Sequence, residues 1–144
     1  MQQRLDPDLL ACSQCLCLAS RRAARALTRA FDRHMRPHGM RTTQFSVLTN
    51  LLLRGPLTIG QLAECLGLER TTLTRNLALI EREGWVEIHP GADARSRVVT
   101  ATPAARSAVA AALPAWHAAQ AAAAEAIGPG AVAALHALAD DVAA

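Results

Sequence analysis

Residues 70 to 76 read Arg70-Thr71-Thr72-Leu73-Thr74-Arg75-Asn76, a run of side-chain donors suited to base edges and phosphates. Arginine can address guanine O6 and N7 with two parallel N–H groups. Asparagine can pair with adenine in the same bidentate way, and threonine can reach a phosphate or a thymine methyl. A second concentration of reactive side chains lies near the start of the chain, Cys12-x-x-Cys15-x-Cys17. Thiols this dense suit a switch driven by oxidation or by capture of a soft ion such as arsenite, zinc or copper(I). Enzymatic signatures are absent: the chain has no Gly-rich phosphate loop, no G-x-S-x-G and no H-E-x-x-H. A thiol oxidoreductase built on Cys12 and Cys15 would need a βαβ surround that the pattern does not supply. The expectation is a non-enzyme.

The donor-rich run must be held by a helix, and the pattern around it predicts which. Leu73, Leu77 and Ile80 recur at helical spacing, so a helix from about Glu69 to Glu83 buries them and turns Arg70, Thr71, Thr72, Thr74, Arg75 and Asn76 outward. Before it, Thr58-Ile59-Gly60-Gln61 fits a capping box that opens a short helix over Ile59–Leu66, and Gly67 supplies the turn. A helix, a Gly-containing turn and a second helix form the arrangement that places the second helix in a major groove. Gly84 ends that helix. Trp85-Val86-Glu87-Ile88-His89 alternates like a strand, residues 90–94 are turn material, and Arg97-Val98-Val99-Thr100-Ala101 reads as the returning strand. Arg95 at the tip of this wing could enter a narrow minor groove, where the negative potential is enhanced.

The flanks read as helix. One long helix is predicted from Pro7 to Arg36, with Asp6 as cap and an apolar stripe through Leu9, Cys12, Leu16, Ala19, Ala23 and Leu27. Arg21, Arg25, Arg29 and Arg33 form a separate row that suits a solvated face. A further helix spans about Thr42 to Leu53. Thr102-Pro103 opens a helix to about Ile127, with Pro114 bending or breaking it, and Gly128-Pro129-Gly130 sets off a last helix ending near Val142. The fold class is therefore mainly α with a small β-wing. Residues 1–41 form an N-terminal dimerisation helix, 42–102 the winged helix-turn-helix, and 103–144 C-terminal dimerisation helices, all within one compact domain. Alanine-rich helices bury little area each, so those at the termini need a partner surface. Cys65 is expected to fill the core of the short helix.

Net charge is +3 and all 15 basic residues are arginine, while only two Phe, two Trp and no Tyr are present. So few aromatics argue against a base-stacking surface for single strands. A protein-interaction module on the same scaffold would show a neutral, apolar recognition face, and Arg70, Arg75, Arg95 and Arg97 argue otherwise. No run of apolar residues is expected to reach the ~18 to 20 needed to cross a bilayer. The acidic Leu5-Asp6-Pro7-Asp8 opening does not look like an export signal, so a cytoplasmic placement with reduced thiols is expected.

On a continuous helix Cys12 and Cys15 would lie about 60° apart and Cys17 about 160° from Cys15, so three thiols could not meet at one ion unless the segment unwinds or a partner subunit contributes. The alternative is that the cysteines only pack as small apolar groups. A zinc finger from Cys12, Cys15, His34 and His38 has too long a gap and no ββα pattern between the pairs. His89, His117 and His136 show no ligand spacing.

Four stretches carry a resemblance to a known family: Gly39-Met40-Arg41-Thr42-Thr43-Gln44-Phe45; Leu57-Thr58-Ile59-Gly60-Gln61-Leu62-Ala63; residues 69–77 closed by Ile80-Glu81-Arg82-Glu83-Gly84-Trp85-Val86; and Asp93-Ala94-Arg95-Ser96-Arg97 followed by Thr100-Ala101-Thr102-Pro103. In this order they resemble the MarR family of multiple-antibiotic-resistance-type regulators. The resemblance implies a homodimer with interlocked terminal helices, bound to a pseudo-palindromic double-stranded operator. It also implies release by a small ligand, for instance an aromatic one, or by cysteine oxidation, with no cofactor required. Carried over by position, Thr71, Thr72, Thr74, Arg75 and Asn76 would meet the major groove and Arg95 the minor groove, with Asp93 bracing an arginine. Ala105 departs from the pattern, standing where many members have glycine.

Overall fold

In a computed structural model, which describes residues 6–141, the long N-terminal helix is broken at the cysteines. Helix α1 covers Pro7–Ala11, capped by Asp6, whose Oδ1 accepts from the Asp8 amide at 2.9 Å. A 3-10 turn over Cys12–Gln14 follows, and Cys15 has left the helical region (φ −58°, ψ 118°) before α2 resumes over Leu16–Met35. The expected single helix from Pro7 to Arg36 is thus corrected to two helices, the unwinding falling where three thiols and Ser13 replace strong helix formers. A second 3-10 turn, Arg36–His38, leads through Gly39 to α3, Thr42–Arg54. The Thr42 amide donates to Asp32 Oδ1 at 2.8 Å, so a side chain from α2 caps α3.

The winged lobe then follows in order: β1 (Leu57–Thr58), α4 (Ile59–Leu66), α5 (Arg70–Arg82), β2 (Val86–Pro90) and β3 (Arg97–Ala101). The sheet is antiparallel in the order β1-β3-β2, with Leu57 opposite Val99 and Val86 opposite Ala101. The third strand, β1, has no counterpart in the sequence reading, because two residues cannot show a period. The stretch α6, Pro103–Asp141, is two helices that meet at a kink at Gly128 (φ 82°, ψ 161°), where the sequence predicts the separation. The chain keeps helical dihedrals through Pro114, so the helix is not broken there. Buried Ala112 and Ala119 on either side hold that stretch against the core while one backbone hydrogen bond is lost. Val142, the expected last helical residue, lies outside the described residues.

One core joins lobe and helices. Met35 and Met40, Leu48 and Leu51 of α3, Leu62 of α4, Leu73, Leu77 and Ile80 of α5, Val86 and Val99 of the sheet, and Ala105 and Val109 of α6 are all buried together. Beyond it, α2 packs along α6, while every residue from Asp6 to Ala26 is exposed, including Leu9, Leu10, Leu16 and Leu18. Cys65 is also exposed, which corrects its expected core position. An 18-residue window of α6 reaches a mean hydropathy of 1.3, so by length and composition this helix could span a membrane. The expectation that no run is long enough therefore fails, because the apolarity here is alanine rather than large side chains.

Thr102 joins wing, recognition helix and α6. Its amide donates to Trp85 O at 3.0 Å, and its hydroxyl donates to Gly84 O at 2.7 Å and accepts from the Ala105 amide at 3.2 Å. Thr102→Val keeps the shape and removes both hydroxyl bonds, so it should cost about 1–2 kcal/mol. A chemical-denaturation midpoint equal to that of the parent chain would overturn this assignment.

Candidate nucleic-acid interface

Helix α4 is held at both ends by local hydrogen bonds. The Thr58 hydroxyl accepts from the Gln61 amide at 3.1 Å while Gln61 Oε1 accepts from the Thr58 amide at 2.9 Å, completing the expected capping box. At the far end of α4, Gly67 takes a left-handed conformation (φ 62°) and the Leu68 amide donates to Ala63 O at 2.9 Å. A side chain at that φ would be strained, which is why glycine sits where the chain reverses into α5.

Helix α5 divides as its pattern predicts. Leu73, Leu77 and Ile80 are buried, whereas Arg70, Thr71, Thr72, Thr74 and Arg75 are exposed and Asn76 is half-buried. The Thr74 hydroxyl donates to Arg70 O at 2.8 Å. The Arg70 guanidinium lies across Gly60: a Cβ there would come within 2.6 Å of Nη2. Gly60 is therefore the gap through which α4 admits an arginine of the next helix.

The wing tip is ordered by one carboxylate. Asp93 Oδ1 accepts from the Arg95 and Ser96 amides, both at 2.8 Å, and the Gly91 amide donates to Ser96 O at 2.7 Å. Asp93 thus braces an arginine through the backbone of Arg95, and no guanidinium pairs with its carboxylate among the described residues. The Arg95 amide first, then that of Ser96, holds the Asp93 carboxyl below its usual range. A carboxyl lowered in the folded state stabilises the tip above its unfolded pKa, and that support is lost as pH falls through the lowered folded value. Acidification below the ordinary aspartate range should therefore move the Arg95 and Ser96 amide resonances together, and Asp93→Ala should produce the same shifts at neutral pH. Resonances that ignore both changes would exclude the role.

Helix and wing enclose a groove of about 330 Å³ lined by Thr58, Ile59, Gly60, Arg70, Thr74, Asp93, Arg95, Ser96 and Arg97. It brings together five of the expected site residues: Arg70, Thr74, Asp93, Arg95 and Arg97. Thr71, Thr72, Arg75 and Asn76 stand on α5 outside it. Thr58 and Gly60 were not singled out as site residues; the capping box explains Thr58 locally and conceals that its turn faces the wing. Among the described residues no carboxylate lies within ion-pair distance of an arginine, so Arg70, Arg75, Arg95 and Arg97 are all uncompensated.

The cysteines form no such assembly. Cys12, Cys15 and Cys17 are free and exposed, and no group of three His, Cys, Asp or Glu side chains is placed to hold a metal among the described residues. The 20-residue α2 separates the Cys pair from His34 and His38 by roughly 30 Å, which excludes a zinc finger within one chain.

The MarR family model matches residues 38–96, from the turn before α3 to the wing tip. An HTH-type transcriptional regulator of Bacillus subtilis (strain 168), YwoH, is 32% identical over 83 residues, which cover 58% of this chain and 61% of that one. The M. tuberculosis transcriptional regulator MosR, solved in complex with DNA, is 40% identical with a TM-score of 0.79, over 90% of this chain and 96% of its own. A mutant E. coli MarR complexed with operator DNA shares the fold at 20% identity and a TM-score of 0.76, over 96% of this chain and 98% of its own. Since the agreement extends through the terminal helices as well as the winged lobe, the chain belongs to the MarR family.

Proposed function

We propose that this chain is a transcription regulator, a repressor, that binds a pseudo-palindromic operator in double-stranded DNA as a homodimer in the cytoplasm. The observation that carries the reading is the uncompensated arginine face of helix and wing, Arg70, Arg75, Arg95 and Arg97. Guanidinium groups with no protein counter-ion suit phosphate and base edges, and phosphate contacts fix register while base contacts specify sequence. Thr71, Thr72, Thr74, Arg75 and Asn76 would read the major groove, with Arg95 in the minor groove. That a 40%-identical regulator was solved with DNA supports the reading. The exposed Leu9, Leu10, Leu16 and Leu18 of the N-terminal arm and the alanine-rich α6 support a second copy as the partner, since a soluble monomer rarely leaves so much apolar surface uncovered. A two-fold pair of this kind sets its recognition helices about one helical turn, roughly 34 Å, apart.

Release is assigned to the thiols. Cys12 and Cys15 bound the unwound turn and Cys15 precedes α2, so oxidation or binding of a soft metal or metalloid would act on the arm that carries the dimer contacts. A second reading rests on a hollow of about 390 Å³ lined by Phe45, Thr49, Asn50, Leu53, Leu113 and Trp116, with the Phe45 and Trp116 rings stacked at 6.1 Å. Such a site suits a small aromatic effector. Fluorescence-anisotropy titration of the chain's own upstream DNA, reduced and then treated with peroxide or arsenite, tests the reading. Tight, sequence-dependent binding that collapses on treatment in the parent chain and persists when Cys12, Cys15 and Cys17 are serine supports regulator and switch together. Binding that ignores treatment moves release to the aromatic hollow, and no sequence preference overturns the regulator itself.

A further inference from the structure

A groove of about 510 Å³ lies where the turn between α2 and α3 meets the C-terminal end of α5. Three arginines from three segments line it: Arg36 from the 3-10 turn, Arg41 from the residue before α3, and Arg82 from the last turn of α5. Leu79, 48% exposed, supplies apolar surface in the same lining. Glu83 is the one acidic residue in the lining, and it lies beyond ion-pair distance of all three guanidinium groups. Like charges gathered in one concavity disfavour each other, and nothing in the fold requires them there. The groove lies beyond the arginine face already described, with Arg82 about 10 Å along the helix axis from Arg75 and about 18 Å from Arg70. By contrast, the row Arg22, Arg25 and Arg29 belongs to α2 alone, with no second element facing it.

We propose that this groove binds a small molecule carrying at least two clustered anionic groups, phosphate or carboxylate, with its apolar part against Leu79. The planar guanidinium fork accepts either oxyanion in bidentate fashion, and three forks from three directions select a polyanion over a monoanion. A ligand seated there ties the α2–α3 turn to the end of the recognition helix. The proposal concerns the free protein and does not rest on DNA binding.

The test is calorimetric titration of the full chain with pyrophosphate and with citrate at fixed ionic strength, with acetate as the monoanion reference. Saturable binding of either polyanion is expected, at least tenfold weaker in R36Q/R41Q/R82Q and within twofold of the parent in the charge-matched R22Q/R25Q/R29Q. Binding of pyrophosphate alone identifies a phosphate-bearing ligand, citrate alone a polycarboxylate, and both the shared chemistry. Should the triple variant not fold, Arg82→Glu at its exposed helix position provides the same comparison. No saturable binding to the parent chain, or equal weakening in both triple variants, overturns the site. So does a loss of non-specific duplex affinity in R36Q/R41Q/R82Q without any polyanion binding, which would make the groove a DNA-phosphate contact.

Discussion

Replacing Arg75 and Arg95 together with alanine removes four guanidinium groups from the proposed homodimer and is expected to weaken operator binding by roughly a thousandfold or more while leaving the fold intact. Each guanidinium that reads a base edge or a narrow groove contributes about 1–3 kcal/mol, and tenfold in affinity is about 1.4 kcal/mol. The two side chains sit on different elements, one on α5 and one at the wing tip, and share no partner. Their effects should therefore add. Both are exposed and neither joins the core, so the melting curve should barely move.

The single variants should differ in kind. Arg75→Ala would remove the proposed major-groove reader and should relax sequence preference at one position of each half-site. Arg95→Ala should weaken binding more evenly across sequences and reduce the salt dependence, since its contribution is chiefly to the potential of groove and backbone. Anisotropy titrations at several salt concentrations, on operator and on scrambled duplex, separate the two. A double variant that binds its operator within twofold of the parent would remove this face from the interface.

The winged lobe was legible in the sequence because its signals are local. Thr58 and Gln61 cap within four residues, Gly67 and Gly84 mark reversals, and Leu73, Leu77 and Ile80 carry the helical period without interruption. Features decided by distant contacts were not. β1 exists only because Leu57 and Thr58 meet Val99 and Val98, some forty residues later. Met35 and Met40 flank a turn, yet both are buried because the α2–α3 corner closes over the lobe. Cys65 follows buried Leu62 by three residues, so its period points inward; periodicity cannot show that the covering elements stop short of the last turn of α4. For the candidate site, identity was readable but mutual placement was not. Arg70 could be counted as a donor, whereas its seat across Gly60 and its shared groove with Arg97 arise only when the wing folds back. Asp93 shows the converse, an acid among arginines whose nearer and better-aligned donors are backbone amides.

Leu77→Ala should destabilise the chain by about 2–5 kcal/mol. Leu77 is 1% exposed and belongs to the core that also holds Leu73, Ile80 and Val99, so truncation leaves a cavity between α5 and the elements that seat it. Leu79, two residues on and 48% exposed, is the internal control: Leu79→Ala removes the same atoms from the same helix and should cost no more than about 0.5 kcal/mol. Helix propensity cannot produce the contrast, because both substitutions replace leucine with alanine in one helix and differ only in burial. The functional consequence follows from the same geometry. A helix that settles into the cavity shifts Arg70, Thr74 and Arg75 together, so operator affinity should fall in Leu77→Ala even at temperatures where the chain remains folded. Denaturation should be measured at matched protein concentration, since a dimer's apparent stability depends on it. Equal losses for Leu77→Ala and Leu79→Ala would mean that α5 is not seated on the core through this face, and the arginines it carries would lose their common reference.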